Sequence, residues 1–410
     1  MSGYDDLVGQ QHVVEQLQAA ATDARAVLAS AAAGSRTGPD GRGPMTHAWL
    51  FTGPPGSGRS IAARAFGAAL QCTDPGTASD PGQAGGGCGH CVDCHQVLVG
   101  THPDVAVIVP EGLSLGVEEA REIILRSSRS PTRGRWQVTL IEDADRLTEP
   151  GANAVLKALE EPPAHSVLLL CAPSTEDLLP TIRSRCRRVQ LRTPPAGAVA
   201  EVLVRRDGVD PPMAAFAARA AQGHVGRARR LATDEDARRE RREALALPRS
   251  LGSVAAALTA ARNLVDSAQE EAVRSTGDRD AQEKASLDNA LGVGATGKGV
   301  TAAARGAAGA RKELEKRQKS RGTRTSRDAL DRALVDLASF YRDVLVVQLG
   351  AGSDLVHADL GEQAAKLARA TTAESTLCRI DAVLQCREAV GASVAPLLAV
   401  ESLALALRTA

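Results

Sequence analysis

A glycine-rich octapeptide beginning at residue 53 constrains the fold of this chain more than any other feature. It follows the phosphate-binding pattern G-x-x-x-x-G-K-[ST] except at position 59, where arginine replaces lysine. In such loops, backbone N–H groups at a helix N-terminus hold phosphates and the serine hydroxyl holds Mg²⁺. Arginine is a longer, planar cation that does not sit where the lysine sits. The loop therefore predicts a nucleotide-binding fold but questions nucleotide hydrolysis; it comprises Gly53, Pro54, Pro55, Gly56, Ser57, Gly58, Arg59 and Ser60.

Residues 1–192 alternate strand-like and helix-like segments, which predicts an α/β fold with a parallel sheet. The phosphate loop follows one predicted strand and opens a predicted helix, and this context raises it above a bare pattern match. A glycine-proline turn without a ligand is the simpler alternative. The predicted strands cover 48–52, 105–109, 138–141, 167–171 and 189–191, and the predicted helices cover 9–33, 60–71, 117–127 and 151–159.

The remainder of the chain predicts helical domains. After the boundary at Pro194 and Pro195, residues 193–248 contain short alanine-rich helices. Residues 249–329 begin another helical domain, and 266–327 are predicted to be a largely disordered insertion with a helical piece at 302–317. The reason is composition, because no aromatic residue occurs between Phe216 and Phe340. Apolar residues at three- and four-residue steps resume at Leu330 and predict a helical bundle over 330–410.

Charge and hydropathy exclude some functional classes. Lys and Arg number 49 and Asp and Glu number 49, so net charge gives no indication of nucleic-acid binding. No apolar run approaches the roughly 20 residues that a membrane-spanning helix needs. The polar N-terminus does not resemble a signal peptide. Eight cysteines in such a chain indicate a reducing compartment, and a cytoplasmic location is expected.

Four cysteines have metal-ligand spacing. Cys72, Cys88, Cys91 and Cys94 follow the pattern C-x15-C-x2-C-x2-C. Four thiolates suit a tetrahedral, closed Zn²⁺ site, which is structural rather than catalytic. The alternatives are free reduced cysteines, or a ligand set in which a neighbouring histidine competes; these histidines are His90 and His95.

An apolar strand at 138–141 ends in Glu142 and Asp143. This is the Walker B arrangement, in which one carboxylate holds Mg²⁺ through water and the next polarises the attacking water. ATPases usually have Asp and then Glu, so the order here is inverted. A solvated acidic strand end is the alternative reading.

A basic turn contains Ser184, Arg185 and Cys186. An arginine on an exposed loop could reach a neighbouring nucleotide site as an arginine finger. A solvated basic turn is the default reading of this segment taken alone.

Taken together, these motifs resemble the bacterial DNA polymerase III clamp loader, a group of AAA+ proteins. The resemblance rests on the phosphate loop, the four cysteines, the acidic strand and three further segments, which are Val8-Gly9-Gln10, residues 153–163 and Ser184-Arg185-Cys186. It implies an AAA+ P-loop domain at 1–192 with an inserted zinc module at 72–94. It also implies a helical lid at 193–248 and a C-terminal all-α collar domain, and it adds Val8 to the nucleotide-binding residues.

Two roles occur in this family, a gamma/tau-type ATPase motor and a delta-prime type with a degraded nucleotide site. Three departures favour the delta-prime type: Arg59, the Glu142-Asp143 order, and Gly226 where a motor subunit carries an arginine. Residues 171–174 also lack the usual pair of threonines. Because phosphoryl transfer depends on charge stabilisation around the γ-phosphate, these departures predict that hydrolysis is weak or lost.

The resemblance implies a set of partners and cofactors. Arg185 would act in trans on ATP held by an adjacent subunit, and the chain would be a component of the DNA polymerase holoenzyme. Partners would be other clamp-loader subunits, the sliding clamp and primer–template DNA, contacted at phosphates and near Lys157. Cofactors would be structural zinc, and ATP or ADP with Mg²⁺ bound weakly or without turnover.

The rival readings are a gamma/tau-type motor or another autonomous AAA+ ATPase, a small-molecule P-loop kinase, and a zinc-dependent DNA-binding regulator. The collar-like tail and Ser184-Arg185-Cys186 have no role in a small kinase. No recognition helix or basic excess supports the regulator.

Overall fold

A computed structural model describes residues 3–32, 43–74, 87–133, 135–291 and 300–409. The chain divides into two compact units. The first contains residues 1–110 and 114–232, and the second contains 111–113 and 233–410. This division does not separate a lid from a sheet domain, so the boundaries predicted at 192, 248 and 329 remain predictions.

The first unit is built on a five-stranded parallel sheet with the strand order β2-β3-β4-β1-β5. The strand that precedes the phosphate loop, β1, is an interior strand, between β4 and the edge strand β5. Each predicted strand is confirmed within two residues at either end. The strands are β1 Ala48–Thr52, β2 Val105–Ile108, β3 Gln137–Ile141, β4 Ser166–Ala172 and β5 Arg187–Gln190.

Both faces of this sheet are covered, as the continuous apolar strands of a parallel sheet require. Side chains of β1 alternate between two cores: Trp49 and Phe51 lie in one, and Leu50 lies in the other. The ring of Trp49 packs edge-on against Phe66 with 5.0 Å between centroids. The helices around the sheet are α1 Gln11–Ala32, α2 Arg59–Gln71, α3 Val92–Val99, α4 Val117–Ser127, α5 Glu149–Glu160 and α6 Pro180–Arg183, with a 3₁₀ turn at Ala144–Arg146.

Three short helices follow the sheet, as the alanine-rich segment predicts. The second and third of these helices bury alanines, among them Ala217, Ala218 and Ala228, and the first buries Val199, Val202 and Leu203. Small side chains let these helices pack closely without the aromatic residues that the chain lacks. The helices are α7 Ala196–Asp207, α8 Pro211–Ala220 and α9 Val225–Thr233.

The described part of the second unit is all-helical. Its core joins the long helices to the C-terminal ones, and Leu334, Tyr341 and Val400 are among its buried members. This bears out the helical bundle predicted from Leu330 onward. The helices are α10 Glu235–Ala244, α11 Val254–Ala290, α12 Val300–Gln348, α13 Gly361–Ala370, α14 Ala373–Gly391 and α15 Pro396–Thr409, with 3₁₀ turns at Leu247–Arg249 and Ala358–Leu360.

The disordered insertion predicted at 266–327 is wrong over the described residues. Helix α11 continues through 266–290 and α12 contains 300–327, including the predicted helical piece at 302–317; residues 292–299 lie outside the described ranges. The physical reason is that polar contacts replace aromatic packing. Arg321 is 9% exposed and contacts Asp280 at 2.6 Å and Glu283 at 2.5 Å across the two helices. Alanine and charged residues are also good helix formers.

Candidate nucleotide site, metal site and arginine turn

The phosphate loop connects the end of β1 to the start of α2. Its backbone requires glycine, because Gly56 and Gly58 have φ of 82° and 97°. A Cβ atom on Gly53 would lie 2.7 Å from the Leu191 carbonyl oxygen. The Gly53 N–H donates to the Pro173 carbonyl oxygen at 3.1 Å, which ties the loop to the end of β4.

Two polar groups of the loop have the character expected for an anion site. The Ser57 hydroxyl and the Nη1 atom of Arg59 are buried and have no hydrogen-bond partner within the described ranges. A buried polar group without a partner is costly, so these two groups favour a ligand with acceptor atoms. The residues present therefore fit a phosphate group, although they do not reproduce the lysine of an active ATPase loop.

The segment between α8 and α9 lies directly against this loop. A Cβ atom on Gly56 would collide with the ring, Cβ and Cα atoms of His224. The Nδ1 atom of His224 accepts a hydrogen bond from the Arg227 N–H at 3.2 Å, at the start of α9. Gly226 lies close by, since a Cβ atom there would be 3.5 Å from the His224 ring. His224 thus lies against the backbone of the loop at Gly56, a contact that the sequence did not indicate.

Gln10 is a second residue that sequence reasoning missed. Its side chain is 1% exposed and donates to the carbonyl oxygens of Ser57 at 3.3 Å and Arg192 at 2.6 Å. Its Oε1 atom accepts from the Arg192 N–H at 3.2 Å. Gln10 therefore connects the phosphate loop to the end of β5. Its neighbour Val8 is also buried, at 8% exposure. The signal was present, because Gln10 belongs to the Val8-Gly9-Gln10 segment.

The two acidic residues lie at the end of β3, as predicted. Glu142 forms an ion pair with Arg64 of α2, with 2.8 Å between Oε1 and Nη2. Asp143 has the left-handed φ of 49° and lies 3.8 Å from the Nε atom of Arg146. The arrangement engages Glu142 with a guanidinium rather than leaving it open for a metal-bound water.

A third carboxylate, Asp145, follows in the 3₁₀ turn. Burial and the negative charge of Asp143 raise the pKa of Asp145, and the positive charge of Arg59 opposes part of that rise. The site thus contains three acidic side chains counterbalanced by arginines. The thiol of Cys171 at the end of β4 also faces these charges; burial raises its pKa, so it stays protonated at neutral pH.

The four predicted metal ligands lie together. The Sγ atoms of Cys72, Cys88, Cys91 and Cys94 are all within 4.8 Å of one another. Three backbone N–H groups donate to these sulfur atoms, from Cys88 to Cys72 at 3.4 Å, from Cys91 to Cys88 at 3.2 Å and from Cys94 to Cys91 at 3.4 Å. N–H donors stabilise thiolates, and four thiolates suit tetrahedral zinc. The donor set therefore fits one closed zinc site; when bound, the metal would fix the α2–α3 connection.

The two histidines near this cluster differ. His90 lies within 4.8 Å of Asp74 and Cys88 and forms an ion pair with Asp74 at 3.3 Å. His95 is exposed on α3 and belongs to neither group of potential ligands within the described ranges. The four cysteines form the more buried set, because Cys72 and Cys94 are buried.

The predicted arginine finger lies just after α6. The Nη2 atom of Arg185 is 2.8 Å from the Glu160 carboxylate, at the end of α5. Its Nη1 atom donates to the Thr181 carbonyl oxygen at 3.0 Å. The Arg185 side chain is 38% exposed, so it remains accessible at the surface. Lys157, one turn before Glu160 on α5, is exposed too.

The parallel strand order, the phosphate loop after the interior strand β1, and the acidic end of β3, two strands away, define an AAA+ P-loop domain. Comparison with protein families gives the particular family. Residues 41–195 match the model of the DNA polymerase III delta subunit, and residues 326–408 match the model of that subunit's C-terminal part. The chain is therefore a relative of the bacterial clamp-loader subunits, as its motifs indicated.

Individual relatives agree with this family. A delta-prime subunit of DNA polymerase III from Pseudomonas aeruginosa is 37% identical over 167 residues, which cover 40% of this chain and 49% of that protein. The delta-prime subunit from Escherichia coli is 38% identical over 151 residues, covering 36% and 43%. A gamma/tau subunit from Mycobacterium tuberculosis is 30% identical over 205 residues, covering 50% and 31%. The matched segments span less than half of each relative.

Solved structures show weaker similarity. A DNA polymerase III gamma subunit-related protein from Thermotoga maritima has a TM-score of 0.37 and 17% identity, covering 88% of this chain and 93% of its own. A RuvB variant has a TM-score of 0.36 and 17% identity, covering 58% and 64%. The fold assignment therefore rests on the strand order of the chain itself. Among the described helices, none is both long and apolar enough to cross a membrane.

Proposed function

We propose that this chain is a delta-prime-type clamp-loader subunit whose own nucleotide site does not hydrolyse ATP at a useful rate. It acts in a complex with other clamp-loader subunits, in which Arg185 contributes to ATP hydrolysis at a neighbouring subunit. The complex places a sliding clamp on primer–template DNA. The collar and the AAA+ domain would join it to its neighbours, in the cytoplasm.

The observation that carries the loss of hydrolysis is the pairing of Glu142 with Arg64 at 2.8 Å. Phosphoryl transfer requires a metal ion and a correctly placed carboxylate at the end of this strand. Here the first carboxylate is already engaged by a guanidinium, and Arg59 stands where the loop lysine is expected.

The decisive measurement is nucleotide binding and turnover by the isolated chain, with Arg59→Lys as the comparison. The proposal expects turnover near the background rate for the natural sequence, with or without nucleotide binding. A turnover number typical of an ATPase motor, abolished by Arg59→Ala, would instead support a gamma/tau-type motor.

That second candidate has a specific observation behind it. The alignment with the Mycobacterium tuberculosis gamma/tau subunit covers half of this chain, more than either delta-prime alignment does. The same turnover assay decides between the two roles.

The role of Arg185 needs the assembled complex. Arg185→Ala should leave assembly intact and lower the DNA-stimulated ATPase rate by about 10³-fold at the neighbouring site. Arg183→Ala is the matched control, since Arg183 lies on the same turn and forms its own ion pair with Glu176 at 3.8 Å. An unchanged ATPase rate in Arg185→Ala would remove the finger from the proposal.

A further inference from the structure

Arg185 is held by its own chain. Both terminal nitrogens of its guanidinium have partners: Nη2 pairs with Glu160 at 2.8 Å, and Nη1 donates to the Thr181 carbonyl oxygen at 3.0 Å. The Nη1 atom also lies 3.4 Å from the Ser184 hydroxyl. A guanidinium recognises a phosphate mainly through paired N–H groups, so these contacts compete with an incoming phosphate.

The position of Glu160 explains why it takes this partner. It is the last residue of α5, where the helix dipole is negative and a carboxylate is unfavourable. A cation near this end of α5 therefore interacts favourably with both the negative end of the helix dipole and the Glu160 carboxylate. Arg185 is this cation. It lies just after α6, where its backbone N–H donates to the Ile182 carbonyl oxygen at 3.1 Å.

The ion pair between Arg185 and Glu160 is weak enough to break and form again. The side chains of Arg185 and Glu160 are 38% and 50% exposed. Exposed ion pairs are weak and are screened by salt. A nucleotide phosphate carries more charge and accepts two parallel N–H bonds, so it can displace the carboxylate.

We infer that Glu160 is a positioning residue that holds Arg185 in cis and competes with the neighbouring subunit's ATP for its guanidinium. This inference rests on the proposed trans role of Arg185. The finger can then contact the neighbouring ATP only after its contact with Glu160 breaks. This competition raises the KM for ATP of the assembled complex.

The test uses Glu160→Gln in the assembled complex. With the competing charge removed, the KM for ATP should fall about two- to fivefold, because the free population of Arg185 rises by that factor. The kcat should not change, and the difference should disappear at high salt. Glu161→Gln is the matched control, because Glu161 is the next residue and is also exposed. It should leave both constants unchanged.

A second readout uses the isolated chain. Modification of Arg185 by an arginine-selective dicarbonyl, followed by mass spectrometry, should be faster in Glu160→Gln than in the natural sequence or in Glu161→Gln. This measures the contact without requiring a working complex.

The outcomes separate the two claims. If Arg185→Ala slows hydrolysis but Glu160→Gln leaves KM unchanged, the holding role is wrong and the finger stands. If Glu160→Gln raises KM or lowers kcat, Glu160 orients the finger rather than competing for it, and the inference fails. If Arg185→Ala does not change the ATPase rate, both the arginine-finger role and the inference about Glu160 are wrong.

Discussion

Arg64 of α2 and Glu142 at the end of β3 form an ion pair of 2.8 Å across the nucleotide site, although 78 positions separate them in the chain. The Glu142 side chain is only 18% exposed and that of Arg64 is 35% exposed. The pair joins the helix that follows the phosphate loop to the strand that carries the acidic residues. It therefore bears on both the stability and the chemistry of the site.

We expect a measurable coupling between these two residues. A double-mutant cycle with Arg64→Gln and Glu142→Gln should give about 1 kcal/mol of coupling in the free energy of unfolding. The exposed pair of Arg121 and Glu118 on α4, at 3.0 Å, is the control and should give about 0.3 kcal/mol. Equal coupling in the two cycles would show that the site pair has no special strength.

The contact between the loop and the lid makes a second prediction. Gly56→Ala should lower the free energy of unfolding by about 2 kcal/mol, because its φ of 82° disfavours a side chain and the new Cβ would meet His224. Urea denaturation measures this. Gly197→Ala on α7, where nothing lies within 4 Å of the added atom, should be neutral or slightly stabilising. A neutral Gly56→Ala would mean that the lid does not rest on the loop.

The metal site is tested by zinc analysis and by a cysteine substitution. Purified under reducing conditions, the chain should contain about one zinc per molecule, and Cys94→Ser should reduce this sharply and lower the melting temperature. Cys378→Ser is the control, because Cys378 is exposed and lies outside the cluster. Cobalt substitution should give the absorption of a tetrahedral thiolate site. Clearly substoichiometric zinc in the natural sequence would count against this site.

The parts of the site that sequence could predict are those encoded in local patterns. The phosphate loop needs glycines at fixed positions, a buried parallel strand is a short apolar run, and metal-binding cysteines have short spacings. These signals predicted Gly53 just after β1 and Glu142 just after β3, where the structure has them, and grouped Cys91 with the three other cysteines of the cluster.

The parts that sequence could not predict are pairings set by topology. Arg64 meets Glu142 near the carboxyl ends of β1 and β3, whereas Arg185 and Glu160 precede β5 and β4 and meet near the amino ends of these parallel strands. Nothing in the local sequence of Arg185 indicates that Glu160 is its partner. The contact of His224 with Gly56 likewise depends on how the lid folds back over the loop.

The disordered insertion shows a different limit. Its composition lacks large apolar residues, and such segments usually fail to form a core. The long helices α11 and α12 instead pair through arginine and carboxylate groups, such as Arg321 with Asp280 and Glu283. The absence of aromatic residues predicted disorder, whereas complementary charges on the two helices stabilise them.

These polar contacts can be tested directly. Arg321 is 9% exposed, so Arg321→Ala should leave Asp280 without this cation and Glu283 with Arg279 as its remaining guanidinium partner, and lower the free energy of unfolding of the second unit by about 2 kcal/mol. Hydrogen exchange should show the loss of protection in α11 and α12. Arg311→Ala is the control, because the pair of Arg311 with Asp288 is exposed and should contribute less than about 0.5 kcal/mol. Similar effects of the two substitutions would mean that burial of Arg321 is irrelevant.

A buried histidine in the second unit should make its stability depend on pH. His357 is 1% exposed, and its Nδ1 atom accepts from the Arg241 guanidinium at 2.6 Å. Burial and the charge of Arg241 lower the pKa of His357, while Asp336, Asp343 and Asp359 oppose this in part. The folded state therefore keeps the imidazole neutral where the unfolded chain, with a pKa of about 6.5, already binds a proton.

The sign of the effect follows from this difference in proton binding. As pH falls below about 6.5, the unfolded state gains a proton that the folded state does not, so stability decreases by up to about 1.4 kcal/mol per pH unit until the folded pKa is reached. His357→Asn removes the titrating group, and its free energy of unfolding should change less between pH 7 and pH 5 than that of the natural sequence. The lowered pKa of Asp359 acts at more acidic pH and does not affect this window. Parallel pH profiles for the two proteins would show that folding does not lower the pKa of His357.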